Sequence, residues 1–140
     1  MNQVAILYPV FVQVLLVYVV AALMSKARRR AIANPNRDNL KAVAMGEYPW
    51  PEDAAKCAAN YTNQFEMPVL FYAVCAFALI VKGADTLMIV LAWLFVLLRV
   101  AHAYIHIGSN RLKYRAPVFA LGALVVLLMW LKLFLHVALA

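Results

Sequence analysis

Acidic residues, glycine and cysteine are all scarce in this 140-residue chain, which carries 6 Asp and Glu, 4 Gly and 2 Cys. Charge of either sign is thin, at 14% of residues, where soluble domains carry about a quarter. A chain this poor in charge cannot cover a water-facing surface, so a soluble domain is excluded. Cys57 and Cys75 fall about five turns apart on one expected helix and cannot pair with each other; both read as packing residues. There is no CxxC and no His-rich metal spacing. His102 and His106 stand four residues apart, but no carboxylate or cysteine shares their motif, so no metal site is expected. No low-complexity tract or internal repeat is present.

What the chain does have is apolar length. It is 67% hydrophobic with a mean hydropathy of +0.82. Runs near twenty apolar residues span the roughly 30 Å hydrocarbon core as helices. Four such runs occupy 6–24, 61–81, 86–107 and 118–138, leaving no room for a soluble domain. The first is too long to read as a signal peptide and lacks a charged leader and a small-residue cleavage site. The expected fold is therefore an all-α integral membrane bundle of four helices in one domain, at about 6–33, 51–81, 86–107 and 118–138.

Lys26, Arg28, Arg29, Arg30, Arg37, Lys41 and Lys56 lie between spans one and two, and Arg111, Lys113 and Arg115 between three and four. The other side offers only Lys82 and Asp85. Positive residues collect on the cytoplasmic face, so both basic loops are expected inside and both termini outside. The net charge of +7 then reflects topology and contact with anionic lipid, and calls for no nucleic acid.

Local signals place the element ends. Helix one is expected to run through the Lys-Ala-Arg-Arg-Arg segment and stop at Asn34-Pro35, with a short helix possible to draw from Asp38. Tyr48-Pro49-Trp50-Pro51 forms a rigid aromatic segment at the membrane surface, and Pro51-Glu52-Asp53 has the form of a helix start. From there helix two is expected to run unbroken to about Val81, roughly 45 Å. Helix four is expected to start after Pro117, and Lys132 and His136 to reach toward the outer interface.

Polar groups inside the spans are few and therefore informative, since lipid excludes them unless they face a cavity or each other. Gln13 is alone in span one and suits a hydrogen bond to a neighbouring helix. Lys56, Asn60, Asn63 and Met67 share a face of helix two, with Glu66 alongside; Phe95, Arg99, His102, His106 and Asn110 share a face of helix three. Glu66 lies about 9 Å inside one helix and Arg99 about 12 Å inside the other. Matched depth predicts an ion pair between them, because either charge alone is costly in a medium of low dielectric. Such a pair with Asn63 and His102 could merely staple two helices, but more polar groups converge than a staple requires.

These residues resemble the MAPEG family, membrane-associated proteins of eicosanoid and glutathione metabolism that include microsomal glutathione transferases and prostaglandin E synthase. The segment 26–35, Lys-Ala-Arg-Arg-Arg-Ala-Ile-Ala-Asn-Pro, is similar to the basic end of that family's first helix. Asn63-Gln-Phe-Glu66 followed by Pro68, and Arg99-Val-Ala-His102 followed by Arg115-Ala-Pro117, are similar to its second, third and fourth helices. The resemblance covers nearly the whole chain. It implies a homotrimer with glutathione in a cytoplasm-facing cavity between subunits, where the thiolate attacks a lipophilic electrophile. By position, Lys26 would hold a glutathione carboxylate from a neighbouring subunit, Asn63, Glu66 and His102 would line the peptide, and Arg99 would support Glu66. The chain departs from the pattern at Ala59 and Thr62, where arginines are usual, and at His106, where a tyrosine is usual. The thiolate-stabilising arginine and serine of helix four fall on Phe119 and Ala120 when aligned on Arg-Ala-Pro, but the arginine falls on Arg115 when counted directly from helix three. Arg115 and His106, the latter as cation or base, are thus the catalytic candidates.

The resulting expectation is a bacterial-type inner-membrane protein that conjugates glutathione or a related thiol to lipophilic small molecules. The alternative is a non-catalytic member binding a lipid or partner protein in the same cavity. A small drug–proton antiporter is disfavoured, because that class places a glutamate in helix one where this chain has only Gln13.

Overall fold

The computed structural model describes residues 2–139. A 3-10 turn, Gln3–Ile6, leads into α1 (Leu7–Ala31), followed by α2 (Arg37–Met45), α3 (Glu52–Asn63), α4 (Met67–Ile80), α5 (Thr86–Ile107) and α6 (Leu112–Ala138). There are no strands among the described residues. Four stretches are long and apolar enough to cross a membrane: Gln3–Ala31, Glu52–Ile80, Thr86–Ile107 and Leu112–Ala138. The second of these is α3 and α4 end to end.

Local chemistry sets the boundaries. Asn36 caps α2 by accepting from the Asn39 amide, and Gly46 closes it in the left-handed conformation at φ 75°. Asp85 caps α5 by accepting from the Met88 amide. Helix four starts at Leu112, earlier than the expected start after Pro117. Pro117 sits early enough in α6 that little helix lies ahead of it to be disrupted, so the first turns form around it and bring Arg115 onto the helix.

The larger correction concerns helix two, which does not run through. It stops at Asn63 and resumes at Met67, with Glu66 turned to φ −95° and ψ −101° between them. Pro68 supplies the reason: its ring collides with the carbonyl four residues back and it has no N–H to give that carbonyl. The chain tightens before the gap, where the Gln64 and Phe65 amides bond the carbonyls of Tyr61 and Thr62, three residues earlier.

Beyond the break, the bundle is apolar. Phe71 of α4 stacks on Phe95 of α5 with ring centroids 4.5 Å apart, surrounded by Ile6, Val74, Met88, Val126 and Met129, all buried. Helices α5 and α6 form the most extensive pair. At the short 81–85 turn, Lys132 bonds Asp85 at 2.6 Å and His136 Nε2–H donates to the Val81 carbonyl at 3.1 Å. Both side chains therefore tie down the turn, where the sequence suggested reaching toward the interface. Gly83 permits this, since a Cβ there would lie 2.9 Å from the His136 ring. At the opposite end Trp50 packs back on α1, beneath the Arg28 guanidinium at 4.8 Å, and the Tyr48 hydroxyl donates to the Ala31 carbonyl.

Candidate functional site

The break in helix two places irregular backbone within a membrane-spanning stretch, which is tolerated only where protein buries it or a cavity adjoins it. Both conditions hold here. Arg99, 2% exposed on α5, directs Nη2 at the Asn63 carbonyl, 3.1 Å away. That carbonyl is one of those left without a helical partner by the break, so the guanidinium acts as a cap on α3. The Glu66–Arg99 ion pair expected from matched depth does not form: among the described residues the ion pairs are Lys56–Glu52 and Lys132–Asp85. Glu66 occupies the gap itself and is exposed, near enough to act on Arg99 electrostatically but not in contact with it.

Beside the break lies a cavity of about 230 Å³ lined by Asn63, His102, Leu112, Arg115, Ala116 and Phe119. Three of the sequence candidates, Asn63, His102 and Arg115, thus meet at one surface. The early start of α6 brings Arg115 there, and the Asn110 side chain, at the tight turn before the helix, accepts from its Nη1. Phe119, one turn further on, packs 5.7 Å from the His102 ring. Arg115 and Phe119, the two alternatives for the helix-four arginine position, therefore line the same pocket. Asn63 turns its amide back to the Ala59 carbonyl at 3.1 Å, so in this state its nitrogen is engaged within α3. His102 Nδ1 is buried without a partner. An unpaired buried nitrogen costs about 1–3 kcal/mol and is the sort of group that a ligand satisfies.

The other four candidates stand apart: Glu66 lies exposed in the gap, and His106 is buried away from the cavity lining. Lys26 is exposed on α1 and does not line the cavity, and Arg99 lies behind it, engaged with backbone. A larger groove of about 300 Å³ between α1 and α5 is walled by aliphatic side chains such as Leu16 and Val20 and offers almost nothing polar. It suits lipid chains and has no chemistry to perform.

Sequence reasoning placed Asn60 on a stripe and gave Gln13 an interhelical bond, but did not join them. In the structure Gln13 bonds Gln64, Gln64 bonds Asn60, and Asn60 meets His106, all four residues being at most 4% exposed. The signal was available: Asn60 and Gln64 stand four residues apart, and Gln13 is the lone polar residue of its span. A metal is not suggested, as no group of three His, Cys, Asp or Glu gathers among the described residues.

Searches of curated proteins and of solved structures gave no match. The model of one protein family, however, matches residues 6–135, nearly the full length and all four spans. A match of that extent decides the matter: the chain belongs to the MAPEG family.

Proposed function

We propose that this protein binds glutathione or a related low-molecular-weight thiol in the cavity beside the helix-two break and transfers it to lipophilic electrophiles from the bilayer. The observation that carries this reading is the convergence of Arg115, Asn63 and His102 on one cavity, with His102 Nδ1 buried and unpaired beside it. A thiol becomes a nucleophile by losing its proton, and a nearby cation favours the thiolate. Arg115 is the cation in reach: the thiol proton leaves to solvent, the sulfur forms a bond to the electrophilic carbon, and the bond from that carbon to its leaving group breaks, the leaving group departing with the electron pair. Asn63 and His102 then hold the polar body of the ligand, and Phe119 and Leu112 face its apolar partner.

One chain supplies part of this site. Lys26 and Glu66 are both exposed in it, and an exposed carboxylate within a membrane-spanning stretch is costly unless something covers it. A homotrimer in which a neighbour's α1 brings Lys26 across the gap near Glu66 removes that cost and completes the ligand set. On this reading the site opens to the cytoplasm of a bacterial-type inner membrane, a side that the basic loops favour.

A second reading has its own support. Ala59 and Thr62 carry no cation where the family usually has arginine, and Ala120 no hydroxyl where it has serine, and a purely binding member would hold a lipid or a partner segment in the same place. Calorimetry of the purified full chain with glutathione, joined to ultraviolet absorbance of the thiolate, separates the two. Binding with a thiolate signal that falls at least tenfold in Arg115→Met supports transfer. Absence of both signals, with a lipid co-purifying in the cavity, supports the binding role.

A further inference from the structure

One cluster takes no part in the reaction just described, yet it is among the most deeply buried polar structures in the molecule. Gln13 of α1, Gln64 in the break, Asn60 of α3 and His106 of α5 form a single hydrogen-bonded line. Gln13 Nε2 donates to Gln64 Oε1 at 3.0 Å, Gln64 Nε2 donates to Asn60 Oδ1 at 3.0 Å, and Asn60 Nδ2 lies 3.2 Å from His106 Nδ1. An amide nitrogen can only donate, so His106 Nδ1 accepts, and the ring proton resides on Nε2.

The sense of the line is not free. Turning over one amide sets donor against donor on one side and acceptor against acceptor on the other, so the three amides reverse together or not at all. Tyr72 stands at the far end. Its hydroxyl and Gln13 Oε1 are both buried and unpartnered, and Tyr72 interacts with Gln13 and with the Arg99 charge. The line runs in one sense, from Gln13 Nε2 to His106 Nδ1, with Gln13 Oε1 left without a partner at its far end.

We propose that Asn60 is a positioning residue that holds His106 as the neutral Nε2–H tautomer, with Gln13 and Gln64 setting the sense of the bond. The opposite edge of the ring then offers a hydrogen-bond donor near His102, whose ring centroid is 5.4 Å away, and within electrostatic reach of Arg115. His106 thereby presents a donor beside His102, although it does not itself line the cavity. It cannot serve there as the base or cation that its position in the sequence suggested, because its basic nitrogen is committed to Asn60.

Any use of that donor rests on the thiol-site reading; the tautomer itself is a property of the chain without ligand. Nitrogen-15 NMR of the full chain, labelled at histidine, in detergent at neutral pH and without thiol reads it directly. His106→Phe identifies the His106 signals by their loss. The wild type is expected to show Nδ1 bare and Nε2 protonated. Gln64→Met, which does not touch the ring, is expected to free Asn60 to turn and to leave both ring nitrogens partly protonated; Gln13→Met gives the same outcome from one link further away. A wild-type ring protonated at Nδ1, or a bare Nδ1 that persists in whichever of these variants folds, overturns the proposal. Failure of glutathione to bind would leave the tautomer result standing, so the two readings fail separately.

Discussion

The two halves of this bundle solve the same packing problem with different means. Toward the 81–85 turn, helices meet through Phe71, Phe95, Met88 and Met129, with shape and dispersion supplying the contact. Toward the basic loops, the same helices meet through a line of amides, a buried arginine and two histidines. The apolar half tolerates small shifts, because dispersion has no preferred direction. The polar half does not, since each donor has one acceptor and a misplaced one is left unpaired in a medium of low dielectric. Rigidity of that kind is what a binding site needs, and the cavity adjoins the polar half only.

Substitutions at three places test this contrast. The largest effect is expected in the apolar half, at Phe95→Ala. It removes the stacked partner of Phe71 and opens a void between α4, α5 and α6, at a cost of about 3 kcal/mol. The lower end of the usual range applies because lipid solvates an exposed ring better than water does. Thermal unfolding in detergent should show a large drop, while His106 tautomer and ligand affinity persist in the fraction that stays folded. An equal loss of both would mean that the halves are not separable.

A middle effect belongs to the break. Arg99→Met strips the cap from the Asn63 carbonyl and is expected to cost about 1.5–3 kcal/mol, the worth of a hydrogen bond to a charged group. Glu66→Gln should cost less, and the double variant should be close to the sum, since the two charges do not meet within one chain. Strong non-additivity would mean that a neighbouring subunit returns Glu66 to Arg99, and would redraw the polar half as shared between copies.

The smallest effect lies in the 81–85 turn, outside the spans. Burial alone raises the Asp85 carboxyl, but the hydrogen bonds from Lys132 and the Met88 amide outweigh it and hold the group below its ordinary value. A depressed folded-state value means stability present above the unfolded value near pH 4 and lost as pH falls through the lower, folded one. Asp85 is 53% exposed, so screening limits the pair to at most about 1 kcal/mol. Lys132→Met should lower the melting temperature slightly at pH 7, and the difference from wild type should fade below pH 4. A difference that persists in acid would locate the role of Lys132 in its methylene packing.

The four spans, the loop positions and the residues Asn63, His102 and Arg115 were legible in the sequence because each depends on distance along the chain. Apolar length sets a span whatever lies beside it, and an asparagine or proline ends a helix through its own backbone chemistry. Depth is likewise linear, and Glu66 and Arg99 were placed at similar levels from rise per residue alone. The direction a side chain faces is not linear. Pro68 was in plain view, yet whether a proline kinks a helix or parts it depends on what stands ready to take the freed carbonyl. Arg99 stood ready for the neighbouring Asn63 carbonyl that the break also leaves free, and once α3 and α4 parted, Glu66 lay in the gap without reaching Arg99. The start of α6 at Leu112 decided in the same way which helix-four residues reach the cavity. Composition therefore determined that this chain spans a membrane four times and keeps a polar region on its basic side. Tertiary structure alone decided which polar groups meet, because a hydrogen bond needs its partner within about 3 Å and correctly oriented, and both conditions are set by other helices.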